Sequence, residues 1–166
     1  ARAYRGMLLA SSSLYPLRMA KRPSITLEVL PASFGDCLLL SFAHTPSDWL
    51  MLVDTGPDET YPALRARLMR LPKNSKGKRH IDLFVVTHID HDHIGAARLL
   101  LDDDELGLSF GDIWFNAPKP IATRGVAEGQ YLAQFLGAAK AALPWNIAFS
   151  GKLACTSAIG GGIELT

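Results

Sequence analysis

The sequence predicts an α/β chain of the α+β type, in which a mixed sheet is covered by helices. Two observations carry this. Short apolar runs with strand-like alternation come first and close together, at 25–30, 37–42 and 49–53, joined by turn residues. From Thr60 the apolar period lengthens to that of a helix, and helical stretches then alternate with further strand-like runs at 81–86 and 112–116. Strands in hairpin order followed by strands separated by helices imply a mixed sheet with helical cover.

The elements follow in order. Residues 1–23 hold no acidic side chain and are rich in Arg and Ser, and the apolar stretch 7–10 is too short for a secretory core. They are expected to be an unstructured extension, with 1–18 playing no part in the fold. Residues 24–166 are read as one domain, incomplete at its C-terminal end. Ile25-Thr26-Leu27-Glu28-Val29-Leu30, bounded by Pro23 and Pro31, reads as the opening strand. The second and third, 37–42 and 49–53, flank His44-Thr45-Pro46-Ser47-Asp48, whose turn chemistry suggests a hairpin. Tyr61, Leu64, Leu68 and Leu71 share one helical face while Arg65, Arg67 and Arg70 lie elsewhere, and Pro72 ends that helix. The near-continuous apolar run 81–86 reads as a buried strand, and a helix is expected from about Ile94. Residues 112–116 read as another strand. Leu132, Phe135, Leu136, Ala139 and Leu143 make a further amphipathic helix, stopped by Pro144, and 159–166 looks like a turn entering a strand.

Composition excludes several classes. At 166 residues, 48% hydrophobic and 20% charged, the chain suits one soluble globular core rather than a disordered segment. A formal net charge of +1 supplies no global basic field for a polyanion, so any nucleic-acid contact must be local. Lys73, Lys76, Lys78 and Arg79 lie in a short basic loop that could contact a phosphate backbone, but a loop this short is more often only solvated, and without interleaved aromatics it carries no base-stacking signature. Two cysteines, Cys37 and Cys155, match neither a disulfide framework nor a CxxC site, which fits a reducing, cytoplasmic compartment. No apolar run approaches the roughly 20 residues that span a bilayer.

The chemistry concentrates at 87–95, Thr-His-Ile-Asp-His-Asp-His-Ile-Gly. Imidazole and carboxylate hold catalytic divalent cations while leaving positions open to water, and His88, Asp90, Asp92 and His93 offer four such groups on a turn between a strand and a helix. The same residues also suit a solvated loop in which Asp92 caps the following helix.

The pattern His88-x-Asp90-x-Asp92-His93 after a strand resembles the metallo-β-lactamase superfamily, whose motif is His-x-His-x-Asp-His. Two upstream segments share the resemblance: Phe34-Gly35-Asp36-Cys37 is similar to its glycine-aspartate turn, and Leu52-Val53-Asp54-Thr55-Gly56 to its strand-ending Asp-Thr-Gly. With Asp at the second ligand position, the chain is most similar to the branch holding the hydrolase domain of ComEC-type DNA-uptake proteins. The resemblance spans about 24–118 and implies the N-terminal half of a four-layer αββα sandwich with metals at the edge shared by its sheets. It further implies one or two divalent ions, zinc or manganese, with His88 and Asp90 on one and Asp92 and His93 on the other. Asp90 and Asp92 would then be the catalytic carboxylates. Asp54 would brace the ligand turn from behind. Asp36 is equally a groove residue or a turn former. His91 sits in a position the family does not use as a ligand, so it reads as an exposed or supporting histidine, with replacement of Asp90 as its alternative.

The implied reaction is hydrolysis by a metal-bound hydroxide, and a hard carboxylate at position 90 favours manganese or magnesium and a phosphodiester, nucleic acid included. A thioester or lactone hydrolase uses the same turn, and a non-catalytic binding module is the third reading. One departure bears on all three: no histidine follows His93, whereas the family draws later histidines into its centre. The chain by itself is therefore expected to be an inactive fragment, with an exposed sheet face open to association.

Overall fold

The computed structural model describes residues 24–43, 48–115, 127–137 and 143–146. The expected extension at 1–23, Cys155 and the turn at 159–166 lie outside the described residues, as does the expected turn at 44–47. Five strands form one sheet in the order β1-β2-β3-β4-β5. They are β1 (Ser24–Val29), β2 (Leu38–Ala43), β3 (Trp49–Val53), β4 (Arg79–Val86) and β5 (Leu108–Phe115). The first three run antiparallel, and β3-β4 and β4-β5 are parallel. Parallel neighbours need a crossover. The first is α1 (Tyr61–Leu68), and the second combines α2 (His91–Ile94) with α3 (Ala97–Asp102). Helix α4 (Ala127–Gly137) follows β5. The mixed sheet with helices is the α+β architecture that the sequence predicts.

Pairing register sorts the strand residues onto two faces. Leu39, Leu52, Phe84 and Ile113 align across four strands on one face. They pack with Leu64, Leu68, Leu100, Leu132 and Leu136 of the helices in the main core. Each fully buried side chain of this size contributes about 2 kcal/mol. On the other face Phe42, Trp49, Met51 and Leu83 form a second cluster, flanked by Leu40, Val53, Val85 and Trp114, and all its members are strand residues. At β1 this face continues as Ile25, Leu27 and Val29, which are 70%, 55% and 73% exposed.

Several boundaries differ from those expected, each for a physical reason. Helix α1 stops at Leu68, so Leu71 lies beyond it. Its Pro62 falls in the first turn, where a missing N–H costs nothing. Strand β4 starts two residues earlier than the apolar run, at Arg79, and β5 at Leu108 rather than 112, because the two pair from Arg79 beside Leu108 onward. Leu143 is not helical. The helix expected from Ile94 starts at His91 and is split at Gly95-Ala96.

Arg79 departs most from its sequence reading. It is buried, with Nη1 donating to the Leu106 carbonyl at 2.8 Å and Nη2 to the Met69 carbonyl at 3.1 Å, while its Nε has no partner among the described residues. The guanidinium thus ties the end of α1 to the loop before β5, and of the basic loop Lys73, Lys76 and Lys78 alone remain exposed.

Candidate metal centre

The turn that follows β4 is fixed from three sides. Asp54, at the end of β3, is 2% exposed and adopts φ 55°, a left-handed conformation that Asp tolerates better than most residues. Its Oδ1 accepts the Thr87 amide at 2.8 Å, and its Oδ2 accepts the Thr87 hydroxyl at 2.6 Å and faces His93 Nδ1 at 3.0 Å. One buried carboxylate therefore holds both the entry to the turn and one of its imidazoles.

The adjoining backbone completes the clamp. The Thr55 amide donates to the His93 carbonyl at 2.8 Å, and the Ala96 amide donates to the Gly56 carbonyl at 3.0 Å. These bonds divert groups that a continuous helix would pair internally, which is why α2 and α3 are separate. From the third side comes the turn before β2. A Cβ on Gly35 would lie 1.7 Å from the Asp92 carbonyl oxygen, so only glycine permits this approach. Asp36, the next residue, places Oδ2 3.7 Å from His93 Nδ1, too far for a hydrogen bond.

These constraints bring the four predicted ligands together. His88 and His93 rings lie 3.7 Å apart between centroids, His88 Nε2 is 3.7 Å from Asp90 Oδ2, and His93 Nε2 is 3.4 Å from Asp92 Oδ2. Donor atoms of His88, Asp90 and Asp92 all fall within 4.8 Å of one another, as do those of Asp54, His88 and His93. His88 is common to both groups. Its Nδ1 sits 2.8 Å from the Thr87 hydroxyl, which leaves Nε2 facing Asp90.

The donor set fits a divalent cation. With Asp54 on Nδ1, His93 presents Nε2 as a ligand atom, the arrangement in which a carboxylate orients a metal-binding histidine and raises its basicity. Among the described residues, Asp36, Asp54, Asp90 and Asp92 pair with imidazoles rather than with Lys or Arg. Such uncompensated negative charge attracts cations.

His91 is not brought into this set. Its Nε2 lies 3.3 Å from Asp58 Oδ1, and its donor atoms group with Asp58 and Glu59. It borders a separate cavity of about 470 Å³ that also touches Arg98, Asp102 and Tyr131. Thr87, Thr55 and Asp58 received no role from the sequence. Thr87 and Thr55 lie inside the quoted motifs, so adjacency was the available signal, whereas Asp58 meets His91 across 33 residues and offered none.

Residues 31–104 match the family model of the metallo-beta-lactamase superfamily. That span includes the Gly35-Asp36 turn, Asp54-Thr55-Gly56 and the whole ligand turn. No curated protein and no solved structure gives a significant match.

Proposed function

We propose that the chain is the N-terminal part of a metallo-β-lactamase-superfamily hydrolase whose cation centre is built on His88, Asp90, Asp92 and His93. The observation that carries this reading is the convergence of those four side chains around a buried Asp54 that orients His93. When bound there, a divalent cation supplies Lewis acidity and brings the pKa of water toward neutrality. The chain's own residues do the rest: Asp54 fixes the imidazole tautomer, Thr87 holds His88, and Gly35 lets the Asp36 turn close over Asp92.

The substrate class we infer is a phosphodiester. Asp90 stands where the family motif has an imidazole, and a hard oxygen donor with an added negative charge suits manganese or magnesium and the oxygens of a phosphate better than a soft, zinc-selective site does. A ComEC-like role on nucleic acid belongs to the same proposal, with Lys73, Lys76 and Lys78 as the exposed cations. Among the described residues no helix is long and apolar enough to cross a membrane. The cytoplasm is the compartment we infer from the thiol chemistry, since the one described cysteine, Cys37, is free and buried.

The turn supplies four donors, and among the described residues no further histidine is grouped with it. We therefore expect weak cation binding and no turnover from these 166 residues alone. The test is hydrolysis of bis(p-nitrophenyl) phosphate by the complete polypeptide carrying this segment, with manganese added and with chelator. Activity that chelator abolishes and that Asp92→Ala lowers by at least about 100-fold, a ΔΔG‡ of about 2.7 kcal/mol, is the expected outcome. Chelator-insensitive turnover would contradict the proposal.

A further inference from the structure

Helix α2 carries imidazoles on two sides. Successive helical residues are about 100° apart, so positions 91 and 93 differ by about 200° and present opposite sides of the helix. His93 meets Asp54 and Asp92, whereas His91 turns to Asp58. Asp58 opens a short 3-10 turn, Asp58–Thr60, that leads into α1. The Thr60 hydroxyl closes this turn on the Pro57 carbonyl at 2.8 Å, and the Glu59 amide donates to Asp58 Oδ1 at 3.1 Å, which fixes that carboxylate.

Backbone contacts seat the turn against α2. The Ala96 amide donates to the Gly56 carbonyl at 3.0 Å, and a Cβ on Gly95 would lie 3.0 Å from the Asp58 nitrogen, so the two segments approach closely. Two carboxylates and an imidazole from distant parts of the sequence are thereby gathered, with donor atoms of Asp58, Glu59 and His91 all within 4.8 Å of one another. The distance from His91 Nε2 to Asp58 Oδ1 is 3.3 Å, longer than the roughly 2.7–2.9 Å of a charge-assisted hydrogen bond. It equals the spacing of neighbouring ligand atoms around tetrahedral zinc, about 3.3 Å for bonds of about 2.0–2.1 Å.

Charge and space agree with this geometry. Among the described residues neither Asp58 nor Glu59 forms an ion pair with Lys or Arg. Arg98, at the adjoining cavity, lies 3.6 Å from Asp102 and stacks over the Tyr131 ring at 4.6 Å. Two carboxylates without a basic partner favour a cation. The cavity of about 470 Å³ opens on Asp58 and His91 and leaves room for the ion's water ligands. We propose that Asp58, Glu59 and His91 form a second divalent-cation site, which prefers zinc to manganese because an imidazole is among its ligands. An ion held there ties the turn before α1 to the helix that carries Asp92 and His93. The site is separate from the centre on His88, Asp90, Asp92 and His93 and does not rest on the function proposed for it.

Zinc titration of the full chain against a chromophoric chelator tests this, in a background of His88→Ala with Asp92→Ala that removes the first centre. The expected result is one saturable zinc ion, weakened at least tenfold by His91→Gln and by Glu59→Gln, the latter an isosteric change at an exposed side chain. His80→Gln is the control, because His80 is also an exposed imidazole, with a single carboxylate, Asp82, 3.6 Å away. It should leave the affinity unchanged. Thermal melting shows which variants are folded. If the background variant unfolds, the parent supplies the same reading as stoichiometry, with one zinc equivalent fewer in His91→Gln than in the parent. Absence of saturable zinc in the folded background, affinity untouched by His91→Gln or Glu59→Gln, an equal loss from His80→Gln, or equal stoichiometry in the parent and His91→Gln overturns the proposal.

Discussion

Asp54 carries more of the local structure than any candidate ligand does. Removing its carboxylate leaves the Thr87 amide and His93 Nδ1 without their partner in a partly buried setting, which costs about 1–3 kcal/mol. Asp54→Ala is therefore expected to lower the denaturant midpoint markedly, while Asp54→Asn, which keeps an acceptor for the Thr87 amide, should lose less stability yet weaken cation binding about 10–100-fold. Equilibrium urea unfolding with parallel metal titration separates the two effects. Cys37 offers a second residue-scale test. Burial, with the nearby Asp54 charge adding to it, pushes its thiol up to about 12. A thiol ionising near 8.5 in the unfolded chain and so much higher in the fold stabilises the native state fully below about pH 8.5, and that contribution is lost as pH rises toward 12. Maleimide at pH 8 should leave Cys37 unlabelled until denaturant is added, as read by mass spectrometry after digestion; rapid labelling of the native chain would contradict its placement.

At the scale of elements, α1 is tethered at both flanks by charge. Arg67 makes a two-pronged contact with Glu28 of β1, and Tyr61 and Arg65 both meet Asp103 after α3, at 2.6 and 2.7 Å. Burial acts to raise the Asp103 carboxyl, but hydrogen bonds from Tyr61, Arg65 and the Leu106 amide outweigh it and hold the group below its ordinary value. A depressed carboxylate stabilises the fold above its unfolded value, near 4, and that contribution vanishes as pH falls through the lower folded value. Asp103→Asn should cost about 1–2 kcal/mol at neutral pH and flatten the acid limb of a stability–pH curve measured by thermal melting. The sequence disclosed these elements unevenly. The run 81–86 was legible because, apart from Asp82, it presents apolar residues to both faces of the sheet. Residues 79–80 and 108–111 were not, since Arg79, His80, Ser109 and Gly111 belong to β4 and β5 through pairing rather than through pattern. The split between α2 and α3 was hidden for a similar reason. It depends on Thr55 and Gly56 capturing backbone groups from a segment about 40 residues away.

For the molecule as a whole, the sheet has one face under helices and one whose apolar residues reach solvent at Ile25, Leu27 and Val29. Exposed apolar surface of this kind, on an edge strand, favours association. Light scattering should show concentration-dependent growth that Leu27→Lys reduces, because lysine at an edge opposes pairing. The grouping of the candidate ligands was the most legible feature of the chain, since spacing within a single turn survives any error in the surrounding elements. Its supports were less so: Asp54 was expected, and Thr87 was not. The most direct test of the account is an EPR titration with Mn2+, comparing the parent chain with His88→Ala, Asp92→Ala and His93→Ala. The account predicts a weak, saturable site in the parent, lowered in affinity at least tenfold by each substitution while the folded melting transition persists. Manganese binding of equal affinity in the parent and all three folded variants, or no saturable binding in the parent, would contradict it.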